Sequence, residues 1–310
     1  MSGNLTEETI TEEVQRTFDT STDERFRQLF VSLVQHLHDF AREWRLTGDE
    51  WFAAIDFLER VGKISSPTRQ EYVLLSDILG LSVLVDKINA HHGPSVTDST
   101  VIGPFFVEGR PTANNGDDIS DGIGGTPMFV TGRVVDEQGR PVVGAHVDTW
   151  HSDGEGFYDV QQLEKLHGQF AMRALLTTDD DGRFWYRSIT PRYYPVPTDG
   201  PCGQILRAAN RAIMRPQHVH FWFHAEGYQP LITQIFRRDD PYIGRDAVFA
   251  DQNSLQADFV RHEPGVAPDG TTVEEQFVTL DWTFTLASQA DGQYKEPDRR
   301  RSKVRTSRSR

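Results

Sequence analysis

The 310-residue chain is 25% charged and 11% aromatic, with a formal net charge of −14 and a single cysteine. This is the profile of a folded protein able to bury a full core, and its acidic balance excludes nucleic acid as the main partner. With Cys202 alone there can be no intrachain disulfide and no cysteine-based zinc or iron–sulfur site. The start, MSGNLTEETITEE, is acidic and polar rather than a targeting signal, and no uncharged apolar run approaches the roughly 20 residues of a membrane span. A soluble, cytoplasmic protein is expected.

In chain order, the first 92 residues predict helices. LTEETITEEVQRTF opens with a capping signal and acidic first turns. ERFRQLFVSLVQHLHDFAREW places Phe26, Leu29, Phe30, Leu33, Leu37 and Phe40 on one apolar stripe. EWFAAIDFLERVG ends at Gly62, and RQEYVLLSDILGLSVLVDKINAHHG predicts one long apolar helix stopped by Gly93-Pro94. The stripe suits either a local core or a dimer interface. Turn-rich text from Gly93 to Pro127 predicts a linker with pocket-forming potential.

Strand signals follow. MFVTGRVVDEQGRPVVGAHVDTWHSD alternates around a turn at EQGRP; LLTTDDDGRFWYRS predicts a hairpin turning at DDDG; QHVHFWFHAEGYQPLITQIF predicts another; FVTLDWTFTLA predicts a last strand. QILRAANRA is a short helix among them. The expected fold is mixed but mainly β: a helical region over 1–100, an antiparallel β-sandwich over 101–295 and a tail over 296–310. The final PDRRRSKVRTSRSR carries seven Lys/Arg against one Asp and reads as solvated and disordered.

RPQHVH, residues 215–220, is the sharpest local feature. Residues two apart on a strand share a face, so His218 and His220 project together with Trp222 and His224, while Val219, Phe221 and Phe223 point away. Arg215 should lie near the same place; its bland alternative is a surface ion pair. Alone, an HxH pair also suits ordinary buried histidines, a zinc or cupin-like site, or a two-histidine, one-carboxylate ferrous site completed by Glu226 or Asp239. Tyr158, in WHSDGEGFYDVQ, and Tyr194, in SITPRYYPVPTDGP, would each alone be packed tyrosines. Asp77 interrupts the apolar YVLLSDILGL as either a surface charge or a pocket group.

Together these residues say more. Tyr158 precedes Tyr194 by 36 positions, Tyr194 precedes His218 by 24, and His220 follows two later. With GPFFVEG, GAHVDTWHSDGEGFYD, GRFWYRSITPRYYPVPTDGP, RPQHVHF and DPYIGRDAVF, the arrangement resembles the intradiol ring-cleaving dioxygenases, from the N-terminal helices to about residue 260. It is most similar to their hydroxyquinol-cleaving branch. The resemblance implies one Fe(III) per chain, bound by Tyr158, Tyr194, His218 and His220. Two phenolates are hard anionic donors suited to a hard trivalent cation, which must drive off their protons at neutral pH.

The resemblance further implies that Tyr194 leaves the metal, that it or a hydroxide takes up a substrate proton, that Arg215 stabilises negative charge on the ring, and that Gln234 helps orient O₂ or the cyclic anhydride. The pocket would be lined by Leu74, Asp77, Val101, Ile102, Gly103, Val196, Pro197 and Val248, with Asp77 accepting the third hydroxyl of hydroxyquinol. Partners would be an aromatic diol or triol and O₂, a second copy in a homodimer built by the helices, and phospholipid between the paired helices. Catechol is the alternative substrate. A transthyretin-like binding module is the non-enzyme alternative, since VTGRVVDEQGRPVVGAHVDTW suits many non-catalytic sandwiches.

Overall fold

A computed structural model describes residues 5–66, 69–89 and 95–289; the Gly93-Pro94 stop and the 296–310 tail lie outside the described residues. The chain divides into two compact units, Met1–Arg60 and Val61–Arg310.

The first unit holds α1 (Ile10–Arg16), α2 (Glu24–Glu43) and most of α3 (Gly48–Ile64). No side chain caps α1 at Thr9; the Thr6 and Thr9 hydroxyls instead accept from each other's backbone N–H. Asp23 caps α2 by accepting from Phe26 N at 3.0 Å. The two helices are tied where Arg42 donates to Thr11 Oγ1 at 2.6 Å. The stripe from Phe26 to Phe40 forms as expected but stays 37–58% exposed.

The second unit begins its helices with α4 (Glu71–Ile78) and α5 (Leu81–Asn89). These replace the single long helix expected from the apolar run. Gly80 adopts φ +73°, a left-handed residue that ends α4. α6 (Pro201–Ala208) packs on α4, and Cys202 N donates to Glu71 Oε1 at 3.1 Å.

The strands are β1 (Pro127–Asp136), β2 (His146–Trp150), β3 (Arg173–Thr177), β4 (Arg183–Ile189), β5 (Tyr194–Pro195), β6 (Met214–Arg215), β7 (His218–His224), β8 (Leu231–Arg237), β9 (Gln256–Ala257), β10 (Val260–His262), β11 (Gly265–Val266), β12 (Thr272–Val273) and β13 (Phe277–Leu286). One sheet runs β10-β13-β1-β4 and the other β3-β2-β7-β8-β9, with β5-β6 and β11-β12 as two-stranded ribbons. Both large sheets feed one core, where Phe184 of β4 meets Phe221 of β7 at 5.9 Å and Phe284 of β13 meets Phe223 at 4.5 Å.

Two local readings are revised. LLTTDDDGRFWYRS is not a hairpin: its turn closes, with Gly182 N donating to Asp179 O, but β3 and β4 belong to different sheets. The pairings are also not wholly antiparallel, because β13 runs parallel to β1 and β9 parallel to β8. The QHVHF hairpin forms as β7–β8, with His220 opposite Gln234. No helix among the described residues is long and apolar enough to cross a membrane.

Gly132 on β1 sits opposite Phe184, and a Cβ there would lie 2.1 Å from Phe184 Cζ. The Phe184 ring is fully buried and flanked by the rings of Phe221, Phe223 and Phe284. Gly132→Ala should therefore cost about 1–3 kcal/mol and lower the melting midpoint by several degrees. An unchanged midpoint in a thermal scan would show that the core yields there.

Candidate active site

β7 presents its two faces to different environments. Val219, Phe221 and Phe223 enter the main core, while Trp222 joins Phe106, Trp150, Tyr158 and Tyr194 in a separate aromatic cluster on the other side. His218 and His220 project to that second side, both buried. Trp150, paired with His220 across β2–β7, stacks on its imidazole at 4.6 Å and 11°. Gly103 (φ +73°) passes so close that a Cβ would stand 3.4 Å from His220 Cε1.

The tyrosines come from outside the two large sheets. Tyr158 precedes a short 3-10 turn, Asp159–Gln161, and its ring is covered by Phe105 at 4.2 Å. Asp159 forms a buried two-pronged ion pair with Arg173, whose Nη1 donates to Phe105 O at 3.0 Å. One cation thus holds both the turn carrying Tyr158 and the residue stacked on it. Tyr194 lies on β5, directly opposite Arg215 on β6.

The result is a convergence of four donor atoms. Tyr158 Oη lies 3.4 Å from Tyr194 Oη and 3.2 Å from His218 Nε2, which lies 3.2 Å from His220 Nε2. His218 Nδ1 donates to Pro216 O at 2.6 Å, so the neutral ring keeps its lone pair on Nε2, facing the cluster. Such spacings suit donors to one ion bound at roughly 2.0–2.1 Å. Two buried imidazole nitrogens face to face otherwise satisfy each other poorly. The residues therefore fit a metal. Burial, then the neighbouring Tyr194, pushes the Tyr158 phenol well above its usual range, so a cation is needed to ionise it.

The carboxylate-completed alternative does not form. Among the described residues no three His, Cys, Asp or Glu side chains gather as a metal site. Asp239 instead pairs with Arg237 at the surface.

Arg215 donates from Nη1 toward Tyr194 Oη and His218 Nε2, each at 3.4 Å. Its Nη2 donates to Gln234 Oε1 at 2.7 Å, and Gln234 Nε2 donates to Val101 O at 2.8 Å. Gln234 thus stands behind Arg215, its amide engaged on both ends. Beside Tyr194 and Arg215 opens a cavity of about 500 Å³. Leu74, Asp77, Val101, Gly103, Val196, Pro197 and Val248 line it as expected; Ile102 does not, and packs against the aromatic cluster instead. Asp77 is buried and its Oδ1 has no hydrogen-bond partner among the described residues. Desolvation raises its pKa, against a Ser82 hydrogen bond and the Arg215 charge.

Phe105, Trp150, Arg173, Asp159 and Asp246 support this site without having been singled out from the sequence. All but Arg173 stand within GPFFVEG, GAHVDTWHSDGEGFYD or DPYIGRDAVF, motifs that could have pointed to them.

Comparison with known proteins finds related sequences and a related fold. A family model described as Dioxygenase matches residues 101–288, and one described as Catechol dioxygenase N terminus matches residues 23–96. A hydroxyquinol 1,2-dioxygenase from a Rhizobium species is 44% identical over 286 residues, 92% of this chain and 97% of the relative. A catechol 1,2-dioxygenase from Candida albicans is 35% identical over 91% of this chain and 92% of its own. The crystal structure of hydroxyquinol 1,2-dioxygenase from Pseudomonas putida superposes with a TM-score of 0.84 at 40% identity, covering 91% of this chain and 99% of that one.

Burial holds three histidines below the usual imidazole range: His218, His220, and His151, which falls to about 4. Unfolded, each titrates near 6.5. The unfolded chain then binds protons that the folded chain refuses. Stability of the metal-free protein should be complete above about pH 6.5 and lost progressively as pH falls toward 4, by about 2 kcal/mol at pH 5 from His151 alone. Urea unfolding of chelator-treated protein at pH 7.5 and pH 5 checks this; equal stability at the two would contradict it.

Proposed function

The chain belongs to the intradiol ring-cleavage dioxygenases, a family that uses non-haem iron, and from that premise we propose that it is a hydroxyquinol 1,2-dioxygenase holding one Fe(III) through Tyr158, Tyr194, His218 and His220. The observation that carries this reading is the chain of contacts, 3.4, 3.2 and 3.2 Å, that links Tyr194 to Tyr158, Tyr158 to His218 and His218 to His220, beside a cavity holding a buried carboxylate oxygen with no partner among the described residues. The names of the relatives from Rhizobium and Pseudomonas putida support it.

The reaction opens benzene-1,2,4-triol between its two adjacent hydroxylated carbons. Both atoms of O₂ enter the product, 3-hydroxy-cis,cis-muconate or its tautomer maleylacetate. When bound, Fe(III) supplies a Lewis-acid anchor for the two adjacent substrate oxygens and couples the electron-rich ring to O₂. The chain's own residues do the rest. Tyr194 Oη, beside Arg215, takes up a proton released as the diol binds. Arg215 keeps its charge: burial works against it, but Asp246 and the two tyrosines prevail. Its guanidinium steadies negative charge developing on the ring. Apolar walls at Leu74, Val101, Val196 and Val248 exclude water, and Asp77 Oδ1 accepts the third hydroxyl. The exposed Phe26–Phe40 stripe supports a homodimer formed through the helical region.

Iron-replete protein should contain about one iron per chain and absorb in the visible through tyrosinate-to-iron charge transfer. Tyr158→Phe should bleach or shift that band and remove most activity, and His218→Ala or His220→Ala should lose the metal. Zinc in place of iron, or full activity in Tyr158→Phe, would sink the assignment.

Turnover should favour hydroxyquinol over catechol, because a substrate lacking the third hydroxyl leaves Asp77 Oδ1 without a donor. Asp77→Ala should narrow that preference by roughly ten- to a hundredfold, the worth of one hydrogen bond to a charged group. A native preference for catechol would make the protein a catechol 1,2-dioxygenase with the same site.

A further inference from the structure

Asp246 touches neither the cavity nor the donor cluster, yet its fully buried carboxylate joins two parts of the site. Its Oδ1 accepts from Arg215 Nε at 3.1 Å and from Val248 N at 3.2 Å. Its Oδ2 accepts from Arg215 Nη2 and from Ala250 N, both at 3.1 Å. Each oxygen thus takes one guanidinium N–H and one backbone N–H. Arg215 Nη1 is left as the nitrogen aimed at Tyr194 and His218. The two backbone bonds bend residues 246–250 around the carboxylate, with Phe249 held at φ +61°, a conformation costly outside glycine. That bend presents Val248 to the cavity. From outside, Arg211 lies over the Phe249 ring at 4.7 Å and donates to Ala247 O at 3.0 Å.

We propose that Asp246 is a positioning residue that fixes the Arg215 guanidinium and the Val248 wall as one unit, so that charge stabilisation and substrate fit are set by a single carboxylate. The assignment rests on the dioxygenase reading for the role of Arg215. A guanidinium fork bound on two nitrogens has one orientation; freed of its counterion it would tilt away from the ring. In Asp246→Asn one oxygen becomes an amide N–H₂. Whichever way the amide turns, a donor then faces both an Arg215 N–H and a backbone N–H.

The test is a double-mutant cycle on full-length, iron-loaded protein with hydroxyquinol and 4-methylcatechol. Asp246→Asn should lower kcat on hydroxyquinol roughly ten- to a hundredfold, as loss of a supporting partner does, while iron content and the visible band persist. Arg215→Gln lowers kcat as well, but leaves the Val248 and Ala250 backbone bonds to Asp246. Discrimination between the two substrates should therefore change in Asp246→Asn and hold in Arg215→Gln. The double variant should match Arg215→Gln in rate within about twofold and Asp246→Asn in discrimination. Additive rate losses, unchanged discrimination in Asp246→Asn, or loss of its iron would overturn the assignment. The native rate on hydroxyquinol tests the function separately: if the native enzyme is active, any of these results removes only the role of Asp246.

Discussion

The two-residue alternation of β7 places Val219, Phe221 and Phe223 in the sandwich core and the His218 and His220 imidazoles, with Trp222 and His224, on the opposite side. The strand is central, laddered to β2 on one edge and β8 on the other. A slip of one residue would exchange its faces, pushing histidines into hydrocarbon and phenylalanines among polar donors. Burying Val219, Phe221 and Phe223 therefore holds the register, and the register holds the imidazole pair. The neighbouring strands then add what the pair needs: β2 supplies the Trp150 stack and β8 brings Gln234 opposite His220.

The tyrosine donors require a different device, since neither lies in a large sheet. Around Tyr158 the device is an ion pair. Arg173 and Asp159 are both nearly inaccessible, and burying two charges earns little net stability. What the pair achieves is geometry: it ties the turn after Tyr158 to β3 and to the Phe105 carbonyl, so the phenol ring is packed on one side and anchored at its own backbone. Arg215 and Asp246 repeat the pattern on the other side of the site. Both polar clusters use rigid bidentate forks where a lysine would leave freedom to rotate.

Much of this was legible in the residues. Period-two spacing gave the shared face of His218 and His220 and the inward path of Val219, Phe221 and Phe223, because alternation is a local property of any strand. The four donors were legible as a set only through their spacing and flanking motifs, and seven of eight expected pocket residues line the cavity. The failures were non-local. The DDDG turn forms, but whether the strands beside it pair with each other depends on which sheet needs them. Gly80 lies inside an apolar run whose composition favours continuity, and only tertiary packing decides that the helix breaks there. Asp246 carries no periodic signal at all; its partner stands 31 positions away.

The parallel pairing of β1 with β13 has a cost paid during synthesis. Met128 meets Val278 and Asp136 meets Leu286, partners 150 residues apart. Closing so long a loop consumes chain entropy before any ladder bond compensates it. At about 5–20 residues per second on the ribosome, the edge of β1 that pairs with β13 waits roughly 8–30 s for its partner to be made. During that interval that edge is a row of open backbone N–H and C=O groups, a template for pairing with other chains, while Met128, Val130 and Val134 belong to a core whose β4 and β7 members are made earlier.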